Sequence, residues 1–300
     1  MTARAPGETV ERSFDFTGPV GQPLFRYVYE AITPARESTR PYFHPVRTLG
    51  GREVTVFRPE DHPWHHGISF TSTDVNGENF WGGATYVPGK DYVELDNQGR
   101  IRHDGWEETP HATGFVERLT WLTRTGATLL TERRTLAVVT PRPAEGWYRL
   151  DLAFALSNPG KVPAVFSSPG AKGRDSGYGG LFWRGHASFN KGRILAGGGL
   201  EGPGVMGKRA PWLAYTTPES WLPICTVAIA DDAENPGSPV KWFVREEPYA
   251  CMAPVFMYDT EWTLAPGATA TFRYRVLIAD GSPDRGTIEL MLAASAAANQ

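Results

Sequence analysis

The stretch DHPWHHG, residues 61–67, places His62, His65 and His66 within five consecutive positions behind an acid, Asp61. Six of the chain's seven histidines, these three with His44, His103 and His111, fall between residues 44 and 111. Imidazole titrates near neutrality without help, so such a concentration offers proton donors and proton acceptors at working pH. Here His62 and His65 are the candidate acid and base. The segment DVNGENFWGG (74–83) follows at once and adds Asn76, Glu78, Asn79 and Trp81. Amides and carboxylates bond hydroxyls, and an indole face covers the C–H face of a sugar ring, so the mixture suits a polar, ring-shaped ligand. Further on, GRDSGYGGLFWRG (173–185) supplies Arg174, Asp175, Trp183 and Arg184, with glycines that let backbone approach a ligand. The stretch WFVREEPYA (242–250) ends an apolar run with Glu246 and Glu247, where a partly buried carboxylate becomes a general base. Glu246 and His103 are therefore alternative proton carriers, and His44, His66 and the groups just named are candidate ligand contacts. Each also has a plain structural reading: histidines solvated in loops, Trp81 in a core, an Arg174–Asp175 pair stapling a surface turn.

Other chemistries find less support. Zinc sites need three or four ligands at set spacings, and neither H-E-x-x-H nor paired C-x-x-C occurs. No cofactor is required by the sequence; a divalent metal would need a site assembled from distant strands, for example by His44, His62 and His103. GGGLEG (197–202) matches G-x-G-x-x-G, but Pro203 and Gly204 stand where a helix would have to begin. There is no phosphate-loop motif and no G-x-S-x-G elbow. The formal charge is −3 with no run of like charges, so nucleic acid is not an expected partner. No window approaches the roughly 18 apolar residues of a membrane span, and the opening MTARAPGETVERSF has no apolar signal core, so a cytoplasmic protein without a membrane partner is expected. Cys225 and Cys251 sit in apolar runs and are expected to be buried thiols.

The elements that must position these residues read as strands. LFRYVYEAI (24–32), REVTVF (52–57), GISFTST (67–73), GFVERLTWLT (114–123), ATLLTERRTLAVVT (127–140) and WYRLDLAFALSN (147–158) alternate in character, as half-buried strands do. ICTVAIADD, KWFVREE, APVFMY and TATFRYRVLIADG continue the series, and short turns such as TRTGA, RPAEG and LAPGAT imply antiparallel ladders. The expectation is an all-β fold, a large antiparallel two-sheet supersandwich forming one domain over 1–300. Its core runs from about 12 to 281, and a C-terminal helix spans about 282–298 with Ser282 as N-cap and Pro283 at the first helical position. Residues 159–211, rich in glycine and aromatics, read as a long functional loop. Pro63 rules out a continuing helix, so HPWHH is a turn feeding the strand GISF. On an extended strand His62 and His66 would share a face and His65 would oppose them; a turn relaxes this.

Read together, RPYFHPVRT (40–48), DHPWHHG, VNGENFWGG, GRDSGYGGLFWR and the closing REEPYA and LAPGATATFRYRVLIADG resemble the bacterial family labelled PmoA-like, over nearly the whole chain. The label belongs to a membrane-embedded methane monooxygenase subunit, whereas this chain has no span, so the resemblance does not imply oxygenase chemistry. It implies a supersandwich similar to galactose mutarotase and a role in carbohydrate catabolism. Its shared set falls on His44, His62, His65, Asn76, Trp81, Arg174 and Trp183, with His66 a departure from the lysine or arginine expected there. The function expected from these residues is an acid–base lyase, hydrolase or isomerase acting on an oxidised (keto) sugar or glycoside, in which His44 and Arg174 polarise a carbonyl or hold hydroxyls. A mutarotase-like epimerase and a non-catalytic carbohydrate-binding protein are the alternatives. A small-molecule sugar is the expected partner, with a homodimer as a second expectation.

Overall fold

Along Thr128–Val139 (TLLTERRTLAVV) and Thr269–Asp280 (TATFRYRVLIAD), side chains alternate between faces as the pleat dictates. Such runs assemble two large sheets in a computed structural model that describes residues 10–140 and 145–294. The seven-stranded sheet runs, edge to edge, Arg12–Thr17, Pro23–Glu30, Tyr42–Val46, Ile68–Thr71, Gly180–Arg184, Cys251–Val255, Lys241–Arg245. The eight-stranded sheet runs Arg193–Ala196, Trp212–Thr216, Cys225–Asp231, Thr269–Asp280, Trp147–Ser157, Thr128–Val139, Gly114–Leu122, Arg100–His111. All the pairings within both are antiparallel. The all-β, two-sheet sandwich expected from the sequence is therefore the fold.

The two sheets meet through aromatic rings. Phe70 stacks on Phe154 at 4.1 Å, and Tyr27 packs on Phe115 at 4.6 Å. A fully buried side chain of this kind contributes about 1.5–3 kcal/mol relative to exposure. The core also holds a polar chain. Tyr27 donates to Glu117, Arg134 donates to the Tyr27 hydroxyl at 3.0 Å and to Glu132 at 2.7 Å, and Trp121 Nε1 donates to Glu132 at 2.7 Å. His103, on Arg100–His111, closes this chain with a 2.7 Å bond from Nδ1 to Glu117. Burial raises the Glu117 carboxyl, against the pull of His103 and Arg134.

Several expectations need correction. REVTVF forms only isolated bridges, through Glu53, Thr55 and Phe57, because its partners are the irregular segments at Arg47, Gly185 and His66. APVFMY is shifted: the strand there is Cys251–Val255. The stretch 159–211 is not one loop; it contains Ala164–Ser167, Gly180–Arg184 and Arg193–Ala196, whose short apolar runs are hidden among glycines. The helix is Arg285–Ala293, capped by Asp284, whose Oδ1 accepts the Thr287 amide at 2.8 Å. A carboxylate accepts this bond more strongly than a hydroxyl, and Ser282 instead accepts from Arg193. Positions 295–298 of the expected helix, and part of the RPAEG turn, lie outside the described residues. No helix among the described residues is long and apolar enough to cross a membrane. Both cysteines are buried and unpaired.

Strand alternation places the site. On Gly180–Arg184, Leu181 and Trp183 point into the core between the sheets, while Phe182 and Arg184 point to the outer face of the seven-stranded sheet. On Lys241–Arg245 the same alternation sends Trp242 and Val244 inward and leaves Phe243 and Arg245 outside. Phe182, Phe243, Trp81 and Tyr249 form part of a second apolar cluster on that outer face.

Candidate active site

A cavity of about 290 Å³ opens on this outer face. Its walls are mostly aromatic: Trp64, Trp81, Tyr92, Tyr178, Phe182, Phe243 and Tyr249. Its polar lining comes from His62, His65, Arg174 and Arg245.

The histidines arrive on a turn that closes on itself. The amide of His62 donates to Pro59 O at 3.1 Å, that of His65 to His62 O at 2.9 Å, and that of Arg58 to His65 O at 3.0 Å. This brings His62 and His65 to the same side, their rings stacked at 4.7 Å with planes 10° apart. The Tyr249 ring meets both edge-on, at 5.0 and 5.8 Å. His66 turns away and is fully buried, its Nε2 3.1 Å from Glu37.

Two neighbours determine the tautomers. Asp61 lies 2.9 Å from His62 Nδ1, and an ionised carboxylate can only accept, so Nδ1 carries the proton and Nε2 presents a lone pair. Arg184 lies 2.9 Å from His65 Nδ1, and a guanidinium can only donate, so this Nδ1 accepts and the proton sits on Nε2. Neither Nε2 has a protein partner among the described residues, and both rings line the cavity. The pair thus offers one acceptor and one donor, with opposite tautomers fixed by a shared support. Arg184 Nη2 also holds both oxygens of Asp61 at 2.9 Å, and its guanidinium lies 3.6 Å from the centre of the Tyr249 ring.

The titrations follow from these surroundings. Burial, with the charge of Arg184 beside it, holds His65 well below the ordinary imidazole range, so it stays neutral. Burial also lowers His62, but Asp61 pulls the other way, leaving it nearer its usual value. Burial would raise Asp61; the hydrogen bonds from Arg184 and His62 outweigh it and keep the carboxyl low.

A second support lies beneath the walls. The buried Arg40 donates to the carbonyls of Glu37 at 2.9 Å, Ser38 at 3.0 Å, Trp81 at 3.1 Å and Trp64 at 2.7 Å. It ties together the two loops that carry the indoles. Asn79 Oδ1 accepts the amides of Trp81 and Gly82 at 2.9 Å, turning the chain so that Trp81 faces the cavity. Gly82 and Gly83 have φ of +100° and +67°, and a Cβ on either would press within 2.6–2.7 Å of Trp64.

Of the sequence candidates, His62, His65, Trp81 and Arg174 line the cavity, and Arg184 stands behind it. The others are elsewhere. His103 belongs to the core chain around Glu117. His44 stacks on Phe57, with its Nδ1 3.0 Å from Thr55. His66 serves Glu37, which Arg58 holds through both oxygens. Asn76, at φ +54°, ties a turn to Pro163 and Val165, and Glu78 accepts the Arg124 amide. Asp175 is exposed and Glu246 half-buried, and neither lines the cavity. Trp183 is completely buried, its Nε1 bonded to Val54 O at 2.9 Å, because strand alternation turns it inward. Among the described residues no group of three or more His, Cys, Asp or Glu side chains is placed to hold a metal ion, so His44, His62 and His103 do not form one set. The sequence reading missed Arg40, Tyr249 and Arg245. Period-two alternation along KWFVR, pairing Arg245 with Phe243, carries the signal for the last.

No curated protein matches the chain. Among solved structures it is similar to a polysaccharide lyase at 12% identity, covering 86% of this chain and 33% of the other, with a TM-score of 0.35. It is also similar to the GH36 α-galactosidase AgaA from Geobacillus stearothermophilus, at 11% identity, 90% and 40% coverage and a TM-score of 0.44. A structural-genomics protein from Synechocystis sp. PCC 6803 matches at 11% identity over 94% of this chain and 100% of that one, with a TM-score of 0.39. The chain spans only 33% and 40% of the length of the first two. A family model matches residues 19–293, nearly the whole chain, and the protein belongs to that family, described as a family of unknown function, DUF6807.

Proposed function

We propose that the aromatic cavity is the active site of a carbohydrate-active enzyme that works by proton transfer on an oxidised sugar or glycoside. The observation that carries this reading is the His62–His65 pair, stacked at 4.7 Å and fixed in opposite tautomers by Asp61 and Arg184. A non-catalytic sugar site needs indoles and hydroxyl partners, but not an aligned base and donor.

In this reading His62 Nε2 removes a proton from the carbon beside a carbonyl. The imidazolium that forms is stabilised by the Asp61 carboxylate at 2.9 Å. His65, kept neutral, donates Nε2–H to the oxygen on which the enolate charge develops. His62 then returns its proton to the oxygen leaving the next carbon, so the C–O bond breaks, an unsaturated carbonyl forms and the enzyme is restored. Trp64 and Trp81 cover the apolar faces of the ring. No metal enters these steps, and activity is expected to survive a chelator.

A second reading rests on the same stacking: a donor and an acceptor side by side also suit the ring oxygen and hydroxyl of a hemiacetal, the chemistry of a mutarotase. Polarimetry of a pure anomer separates the two, since accelerated rotation without a new mass supports the second. The main test is a mass-spectrometric screen of keto-sugars and glycosides with wild type, His62→Ala and His65→Ala. Conversion by wild type and a loss of about 10²-fold or more in each variant is expected. Conversion by none, or equal conversion by all, overturns the reading.

A further inference from the structure

The charge of the cavity is one-sided. Arg174 and Arg245 both line it, and no aspartate or glutamate does. Their guanidinium groups rest on rings: Arg174 lies 5.2 Å from the centre of Tyr92, and Arg245 lies 5.4 Å from Phe243 and 5.8 Å from Tyr249. Among the described residues neither makes an ion pair. The arginines around them do: Arg184 holds Asp61, Arg58 holds Glu37 and Arg36 holds Glu94. The one carboxylate beside the histidines, Asp61, is already taken by Arg184 and His62. Guanidinium N–H groups also serve neutral hydroxyls, but two cations without a carboxylate partner in the lining leave an excess of positive charge that a neutral ligand does not use. A planar fork on a ring keeps its N–H edge free for a bidentate anion.

Their positions differ. Arg245 belongs to the histidine end, through Tyr249, which touches both His62 and His65. Arg174 belongs to the other end, through Tyr92, whose hydroxyl bonds that of Tyr178 at 2.8 Å.

We propose that the ligand is anionic, a sugar acid whose carboxylate is held by Arg245 beside the histidine pair, with Arg174 reinforcing the field from the tyrosine end. This rests on the carbohydrate reading of the cavity and names its substrate class. A carboxylate bound beside His62 also sets a C–H next to an electron-withdrawing group whose charge Arg245 neutralises, which is where a base of modest strength is useful.

Calorimetric titration with D-glucuronate, D-galacturonate and D-gluconate, each against its uncharged methyl ester or parent sugar, tests this on wild type, Arg245→Gln and Arg174→Gln. At least one acid is expected to bind about tenfold or more tightly than its neutral counterpart. The preference is expected to shrink on raising sodium chloride, to fall most in Arg245→Gln, and to fall less in Arg174→Gln. Arg174 sits on a half-exposed loop, so that variant reports even if Arg245→Gln folds poorly. Neutral sugars binding as tightly as the acids, or a preference that survives both substitutions, overturns the anionic class and leaves the carbohydrate reading standing. Absence of binding by every acid and every neutral sugar overturns both.

Discussion

Replacing Asp61 with asparagine isolates the tautomer argument from everything else in the cavity. Asp61 is nearly isosteric with asparagine, so the turn at 59–65 keeps its shape. Arg184 Nη2 bonds both carboxylate oxygens at 2.9 Å, and His62 Nδ1 bonds one of them at 2.9 Å. Arg184 can only donate, so it will claim the single oxygen of the amide, leaving the NH₂ facing His62. Nδ1 must then accept, the proton moves to Nε2, and the lone pair that faced the cavity is lost. The same tautomer error in Ser-His-Asp hydrolases costs about 10⁴-fold, or about 5 kcal/mol of transition-state stabilisation. Stability changes far less: Arg184 loses one charge-assisted bond, worth about 1 kcal/mol once the exposure of the Asp61 side chain is allowed for. The pH profile carries a second signature. Wild-type His62 titrates below its usual value, so kcat/KM is expected to rise with pH through a pKa below 6.5 and then level. Asp61 works to raise that pKa; removing it moves the rising limb to still lower pH while the plateau collapses. Long-range ¹⁵N–¹H correlation of the imidazoles reads the tautomers directly, without substrate. A wild-type His62 already protonated on Nε2, or an Asp61→Asn enzyme of unchanged rate, refutes the reasoning.

Three further outcomes are expected. Trp183→Phe removes the Nε1 bond to Val54 O and part of a fully buried ring, so urea unfolding should show a loss of about 1–3 kcal/mol with sugar affinity unchanged; lost affinity at full stability would place Trp183 in the site. His103→Gln weakens the buried support of Glu117 and should cost about 1–3 kcal/mol by the same measurement, without altering turnover or its pH profile. His44 and His66 are both pushed down by burial to about 4, so the unfolded chain binds more protons than the folded one between that value and 6.5. Stability is therefore full above pH 6.5 and declines as pH falls toward 4, by on the order of 3 kcal/mol for each group, opposed by the raised carboxyls of Glu117 and Asp231. Melting temperatures measured across that range should fall for wild type and flatten in His66→Gln; parallel curves would contradict this account.

The strands were legible where one face is buried and the other wet, because period-two alternation then appears in a single segment. TLLTERRTLAVV and TATFRYRVLIAD are read correctly for that reason. Gly180–Arg184 is buried on both faces, one packing into the core and the other under the cavity, so its composition carries no alternation. It lies hidden inside a glycine-rich stretch, and Trp183, by its sequence a candidate ligand contact, faces the core instead. REVTVF shows the converse: the alternation is present, but its neighbours allow only isolated bridges.

The site was legible in its residue types and not in its wiring. DHPWHHG contains both histidines that line the cavity and the Asp61 that bonds one of them, and Pro63 marks the turn that lets His62 and His65 share a side. What fixes the tautomer of His65, and holds the Asp61 that fixes that of His62, is Arg184, 119 residues beyond His65 in the chain and brought there because Gly180–Arg184 pairs with Ile68–Thr71. Arg40 likewise looks like an ordinary basic residue in RPYFH, yet it bonds carbonyls of two separate loops, a role set by backbone geometry that no side-chain pattern records. The same logic explains why histidine clustering misleads as well as guides. His44, His66 and His103 belong to the same histidine-rich quarter of the chain as His62 and His65, but each has one ring nitrogen bonded to Thr55, Glu37 or Glu117, in separate surroundings away from the cavity. A proton carrier needs one nitrogen anchored and the other free toward a cavity, and within this cluster His62 and His65 line the one that the aromatic walls enclose.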